Sequence, residues 1–315
     1  MITVMKSHIK IIISVCAVAL LAACTKEDGI TPNWPKKAEY PGNARAYAAS
    51  FVIANQAYVG TGFNGSYLRD FWKFDAAANT WTQISDFGGT ARQRATGFSI
   101  GTKGYVALGN DGAYKTDLWE YDPPSNSWLQ KASMPPAAPA RYMAVAFVIG
   151  NNAYVGTGWN GSVHLKDIWE FIPDSNKWFQ KTPLPGNVRS MAFTFSIGNK
   201  GYLGGGHNAS IYLSDLYEYD AASDTWLQRS SFPTLRDDAA YFTMNGKGYV
   251  GAGYDGDNYK KDFYEYDPAA NTWTRKTDLA GSARLGATGF SINDKGYIGI
   301  GYDGSYKKDF FEYWP

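Results

Sequence analysis

Cysteine is almost missing from this chain of 315 residues: there are 2, Cys16 and Cys24, both close to the N-terminus. Beyond residue 24 no thiol remains for a disulfide, a thiolate metal site or a cysteine nucleophile. Histidine is nearly as scarce, with 3 in the chain, of which only His164 and His207 lie beyond residue 8. Neither sign of charge dominates: 30 Lys and Arg stand against 29 Asp and Glu, a net charge of +1. That balance excludes nucleic-acid binding driven by bulk charge and excludes an acidic solvating tail. The one long apolar run covers residues 11–23, too short to cross about 30 Å of hydrocarbon as a helix. No segment keeps a 3.6-residue period between caps, and no phosphate-binding loop, nucleophile motif or closely spaced metal-ligand run occurs. The chain is therefore read as all-β, without cofactor or metal. Glycine, at 34 residues, and aromatics, at 16%, are plentiful, a composition of short strands and tight turns.

Internal repetition fixes the architecture. A Trp recurs at positions 34, 81, 128, 178, 226 and 273, at intervals of 47, 47, 50, 48 and 47 residues. An acid-aromatic segment (Asp70-Phe-Trp-Lys-Phe-Asp75 in its first copy) returns from Asp117, Asp167, Asp215, Asp262 and Asp309. A glycine segment (Tyr58-Val-Gly-Thr-Gly62) returns from Tyr105, Tyr154, Tyr202, Tyr249 and Tyr297. Each unit holds four short apolar runs separated by Gly, Asn, Asp or Pro; in the third they are 143–149, 153–158, 167–172 and 177–182. Four strands per unit of about 48 residues make a propeller blade.

The spacing and the Tyr, Gly and Trp positions resemble the Kelch repeat across residues 33–315. The resemblance implies a six-bladed Kelch-type β-propeller with four antiparallel strands per blade. The Kelch pattern usually ends its second strand in two adjacent glycines; here only the fourth unit, with Gly204-Gly205-Gly206, does so. The sixth unit stops at Trp314-Pro315 without its Trp-bearing strand, and residues 33–43 hold an orphan copy of that strand. The N-terminal strand is therefore expected to join the last blade and close the ring, which removes open sheet edges.

Before the propeller, Lys6 and Lys10 precede the apolar run, which ends in Leu21-Ala22-Ala23-Cys24. This resembles the lipobox of bacterial lipoproteins, implying a signal peptide over 1–23, a lipidated Cys24 and a linker through residue 32. Several acyl chains on Cys24 would anchor the protein stably. The following Lys26-Glu27-Asp28 is similar to an export tag of some Gram-negative surface lipoproteins. The expected address is the outer membrane, with the propeller exposed.

In a propeller whose strands a to d run outward, the d-to-a and b-to-c connections emerge on one face. Three rings of candidate residues converge there. Arg45, Arg92, Arg141, Arg189, Arg236 and Arg284 precede the innermost strands; Phe63, Asn110, Trp159, His207, Tyr254 and Tyr302 follow the glycine segments. Tyr67, Tyr114, His164, Tyr212, Tyr259 and Tyr306 each lie shortly before the repeated Asp. One reading is a cationic mouth with an aromatic rim, since guanidinium forks suit carboxylates and aromatic faces suit sugars or peptide side chains. Some eukaryotic Kelch domains are similar, reading acidic peptides through such arginines. The other reading pairs the six Arg with the six repeated Asp as a structural girdle. Departures from six-fold symmetry gather in units three to five: Trp159, His164, His207, Asp237 and Asp238. The histidines and acids are either an acid–base or metal constellation or ordinary loop residues. The Asn-Gly and Asp-Gly pairs are explained by turn chemistry, with calcium as the alternative.

These features point to a non-enzymatic, membrane-anchored binding module for a glycan, an acidic peptide or a protein partner. An enzyme similar to sialate mutarotase, using Arg with Asp237 and Asp238, is one alternative. A scaffold docking a membrane partner through the opposite face or the outer strands is another. Copper-oxidase chemistry of the galactose oxidase kind is excluded, because it needs a cysteine cross-linked to tyrosine.

Overall fold

The computed structural model describes residues 34–315; the apolar run, Cys24 and the linker lie outside the described residues. The described residues form six separate four-stranded antiparallel sheets and no helix. Five sheets take their strands in sequence order. In blade three these are Val145–Ile149, Asn152–Gly156, Ile168–Ile172 and Lys177–Lys181, from inside outward. The first begins at 145 rather than 143 because Met143 has a left-handed backbone (φ 58°) that ends strand pairing.

The blades hold together through one aromatic device repeated six times. Phe147 of the innermost strand lies opposite Tyr154 of the second, with ring centroids 5.3 Å apart and nearly parallel planes. The next blade presses against this pair at Gly201, where an added Cβ would fall 2.2 Å from Phe147 Cδ2. Every unit puts its smallest residues at this spot: Gly104, Gly201, Gly248 and Gly296, with Ala57 and Ala153 in the other two. Fully buried aromatics dominate such cores because each removes a large apolar area from water.

The ring closes as the orphan strand implies. Lys36–Lys37 pairs with the last strand, Phe310–Tyr313, placing Lys36 opposite Phe311 and Lys37 opposite Phe310. Trp34 occupies the position of the missing sixth Trp, packed 4.9 Å from Phe263 and 4.8 Å from Tyr313. Each outer-strand Trp donates its indole N–H to a carbonyl of the preceding blade, Trp81 to Ala38 and Trp128 to Ser85 among them. Trp34 does the same to Thr277 at 3.0 Å. At the tight turn before each Trp of blades one to five, Asn79, Asn126, Asn176, Asp224 and Asn271 hold positive φ. Their side chains accept a backbone N–H from the preceding blade.

If Trp34 completes the ring, Trp34→Ala should cost roughly 3–5 kcal/mol of unfolding free energy, close to the cost of Trp178→Ala. Urea denaturation of the two variants checks this. A loss below about 1 kcal/mol for Trp34→Ala alone would mean that the ring holds without its N-terminal strand.

Candidate functional site

The six arginines are at most 1% exposed and lie inside the wall of the ring. Each forms a two-pronged pair with its own repeated Asp: Arg141 reaches Asp167 at 2.6 and 2.7 Å, and Arg45 reaches Asp70 at 2.7 and 2.7 Å. The same forks join Arg92 to Asp117, Arg189 to Asp215, Arg236 to Asp262 and Arg284 to Asp309. Nη1 also donates to the carbonyl of the residue just after the second strand, Thr157 for Arg141, and Nε donates to a connection carbonyl, Pro139 for Arg141. Burial pushes the Asp70 carboxyl up, but the hydrogen bonds and charge of Arg45 outweigh it and hold Asp70 below the usual carboxylate range. The expectation of ligand-facing arginines is corrected here. A guanidinium with at least four of its five donors committed to carboxylate and carbonyl oxygens, and at most 1% exposed, is not placed to meet a ligand. Of the two sequence readings, the girdle is the one that this geometry supports.

The mouth of the axial channel is narrowed by a second ring. Two residues after each arginine stand Tyr47, Arg94, Met143, Met191, Asp238 and Gly286, all with φ between 47 and 61°. Each donates its backbone N–H to the carbonyl of the one before, round to Tyr47, which donates to Gly286. The six bonds, 2.9 to 3.3 Å long, form a closed circle about the axis. Across the circle, Arg94 of blade two holds Asp238 of the opposed blade five by two bonds of 2.9 Å. The guanidinium lies 3.8 Å above the ring of Tyr47. Beneath this latch the innermost strands enclose a cavity of about 410 Å³, with Ser50, Ser99, Ser196 and Ser291 in its lining. Sequence reasoning flagged Asp238 but missed Arg94. The usable signal was one Arg and one Asp at the same repeat position, three units apart.

Around the mouth the aromatic rim is real and half-buried. Contacts of 4.5 to 6.3 Å run from Trp159 to His164, His207, Tyr212, Tyr254, Tyr259, Tyr302, Tyr306, Phe63 and Tyr67. The collar continues as Tyr67 donates to Asn110, and as Tyr114 stacks on Tyr142 at 5.0 Å. The rim tyrosines therefore pack between blades and also offer ring faces to solvent.

The asymmetric residues come together in blades three to five. His207 Nδ1 is 2.8 Å from Asp237 Oδ2, and His164 Nδ1 is 3.1 Å from Ser190 Oγ. Asp237 is 4% exposed and its Oδ1 has no hydrogen-bond partner. Burial pushes its carboxyl up, opposed by the hydrogen bond from His207 and reinforced by the charge of Asp238. Burial, with the neighbouring His207, pushes the His164 imidazole down. Beside this cluster, the loops after the glycine segments of blades three and four enclose a cleft of about 640 Å³ lined by Trp159, Val163, His164, Val188 and Ile211. Val163 is 55% exposed and Ile211 49%, so this cleft is markedly apolar.

The other expectations divide as follows. Among the described residues no three His, Cys, Asp or Glu side chains come close enough to hold a metal ion. The Asp-Gly turns do not hold their carboxylates free for calcium: Asp111 pairs with Lys115, Asp255 with Lys260 and Asp303 with Lys307. The outer strands of blades two to four expose Leu129, Phe179 and Leu227 after the Trp, where blades one and five have Thr82 and Thr274. Of the residues in the mutarotase-like alternative, the six ring arginines are bound to the repeated aspartates, and the arginine that meets Asp238 is Arg94, which the sequence reading did not name.

Two family models match the sequence: the KLHDC2/KLHL20/DRC7 Kelch-repeats domain over residues 101–232 and the Kelch motif over residues 44–88. Among solved structures, that of YjhT is similar with a TM-score of 0.75 and 18% sequence identity, covering 87% of this chain and 95% of that one. No curated protein matches.

Removing one arginine strands its aspartate and a buried carbonyl. Arg141→Ala is therefore expected to destabilise the protein by roughly 3–5 kcal/mol, and Arg141→Lys, which lacks the planar fork, to recover less than half of that. Equilibrium unfolding decides it: a cost below about 1 kcal/mol for Arg141→Ala would return these arginines to the list of ligand candidates.

Proposed function

We propose that this chain, a Kelch-repeat β-propeller, is a non-enzymatic binding module that takes its ligand in the cleft of blades three and four. One observation carries the reading: Val163, Val188 and Ile211 are exposed around a Trp and a His on a face where the charged rings are otherwise paired. Clustered aliphatic side chains beside an aromatic anchor are what a recognition surface places in water at a cost to solubility. Binding at this cleft needs no acidic group on the ligand, which departs from the acidic ligands expected from the sequence.

A second reading, docking of a protein along the outer wall, is supported by the row Leu129, Phe179 and Leu227. The two are separated by one comparison on glycan and peptide arrays and in pull-downs. Trp159→Ala with Ile211→Ser should weaken the strongest ligand at least tenfold, the scale of a single anchor contact of about 1.4 kcal/mol. Leu129→Thr with Phe179→Thr and Leu227→Thr should leave it unchanged. The opposite pattern would move the site to the outer wall.

The anchor belongs to the same proposal: a lipidated Cys24 holding the propeller at the outer membrane, facing outward. Cys24→Ser should move the protein from the membrane to the soluble fraction and abolish labelling by a fatty-acid probe. Membrane retention of that variant would refute the lipoprotein reading.

A further inference from the structure

At the edge of the cleft its lining residue His164 meets His207, which lies just outside the lining, and the surface there is polar in a specific way. His164 and His207, with ring centroids 5.3 Å apart and planes at 71°, each have one ring nitrogen engaged by the interior. His207 Nδ1 faces the Asp237 carboxylate, which accepts when ionised, so Nδ1 then donates to it and Nε2 is the nitrogen left for a partner outside. His164 Nδ1 faces the buried Ser190 hydroxyl, which serves either tautomer. Neither Nε2 makes a hydrogen bond to a described residue, although both side chains are only partly exposed. The imidazole edges are thus pre-oriented from behind and unspent in front.

The flanking surfaces are flat and aromatic. Trp159 lies 4.5 Å from His164 on one side, and Tyr212 lies 5.4 Å from His207 on the other. We propose that this edge of the cleft, continuing from Trp159 and His164 in its lining onto the neighbouring His207 and Tyr212, is a carbohydrate subsite for neutral sugars, in which His164 and His207 Nε2 take the hydroxyl groups and Trp159 and Tyr212 take the C–H faces of the ring. The proposal rests on the cleft being the ligand site.

Two features select this class over an apolar peptide side chain or an acidic sugar. An aliphatic group placed here would strip water from both Nε2 atoms without replacing their hydrogen bonds, and unpaired buried polar atoms are penalised. Hydroxyls replace them, and donors and acceptors on one pyranose ring alternate with apolar C–H patches in the same way as the site does. A carboxylate would find the guanidinium of Arg94 already held in both arms by Asp238. It would also approach the Asp237 carboxyl, one oxygen of which holds His207 while the other has no hydrogen-bond partner. Asp237 acts here as a positioning residue: nearly buried, it fixes the tautomer and tilt of His207 and does not reach the ligand.

Of the 3 histidines only His164 and His207 lie beyond the proposed signal peptide, so the mature protein labelled with ¹⁵N in its imidazoles gives a spectrum assignable from His164→Phe and His207→Phe. The probes are methyl glucoside, galactoside and mannoside, the disaccharides maltose, cellobiose and lactose, N-acetylneuraminic acid, and N-acetylleucine amide. At least one neutral sugar at tens of millimolar should shift the Nε2 signals of both His164 and His207. His164→Phe, which strands only the Ser190 hydroxyl, should weaken that sugar at least fivefold with the fold intact by circular dichroism; His207→Phe should do the same if it folds. Trp159→Ala should weaken it as well. If no neutral sugar moves either signal, or if both variants bind the sugar as the wild type does, the carbohydrate subsite is wrong. A larger response to N-acetylneuraminic acid or to N-acetylleucine amide than to every neutral sugar overturns it too. In the last case, sensitivity of the amide's binding to Trp159→Ala would leave the cleft standing as an apolar peptide site, and insensitivity would remove the cleft reading as well.

Discussion

A buried guanidinium is the constraint on which this ring is built. Each of the six arginines gathers three parts of its own blade: the incoming connection through Nε, the residue just after the second strand through Nη1, and the start of the third strand through the paired Asp. Its backbone belongs to the blade before. Arg141 N–H donates to Lys115 O, and Arg141 O accepts from Gly109 N–H, both in the loop of blade two. One residue therefore ties a blade internally by side chain and to its neighbour by main chain, six times around. Burying such a charge is costly unless every donor finds a partner, and here the fork geometry that only arginine has meets a planar carboxylate. The consequence is rigidity on the mouth face, where the arginine loops surround the channel.

That arrangement also explains why the chain tolerates a departure from the usual paired glycines. The first position of the pair has positive φ in all six blades, yet only Gly205 is glycine; Thr61, Leu108, Thr157, Ala252 and Ile300 hold φ of 51 to 63°. A left-handed backbone costs a non-glycine residue about 1–2 kcal/mol, and a β-branched one is a marked outlier. In each case the residue's carbonyl is what the arginine Nη1 takes, at 2.6 to 3.2 Å. The charge-assisted bond holds the strained turn in place. The second position admits no such substitution: a Cβ on Gly253 would lie 2.4 Å from Asp237 O. Glycine is kept where backbone approaches backbone and relinquished where a side chain can brace the turn.

The fold was legible because the chain writes one blade six times and leaves its last strand at the other end, so Trp34 could be paired with blade six from spacing alone. The mouth was only partly legible. Period places an arginine at the start of each inner strand, but whether its guanidinium points to the axis or into the wall depends on the tilt of a loop, which periodicity does not encode. Arg94 and Asp238 are 144 residues apart, and their meeting depends on six blades bringing the second and fifth face to face. The cluster of His164, His207 and Asp237 was visible as a break in symmetry, whereas Val163, Val188 and Ile211 were not, because a lone aliphatic residue in a polar loop carries no period.

The division between repeated and unrepeated residues carries the functional logic one step further. Positions that close the ring must be filled alike in every blade, since one unpaired arginine or one missing Trp weakens a circle that has no spare element. They are thereby unavailable for recognition, which needs one side of the mouth to differ from the other. In this chain the loops after the glycine segments supply that freedom. They project beyond the girdle, their backbone bonds are satisfied within the turn, as at Asn160 and Asn208, and their tips can change without disturbing the arginine beneath. Trp159 with Val163 and His207 with Ile211 are two such loops brought side by side by adjacent blades. Asp237, placed directly after an arginine of the girdle, is where the invariant ring reaches up to orient the variable one.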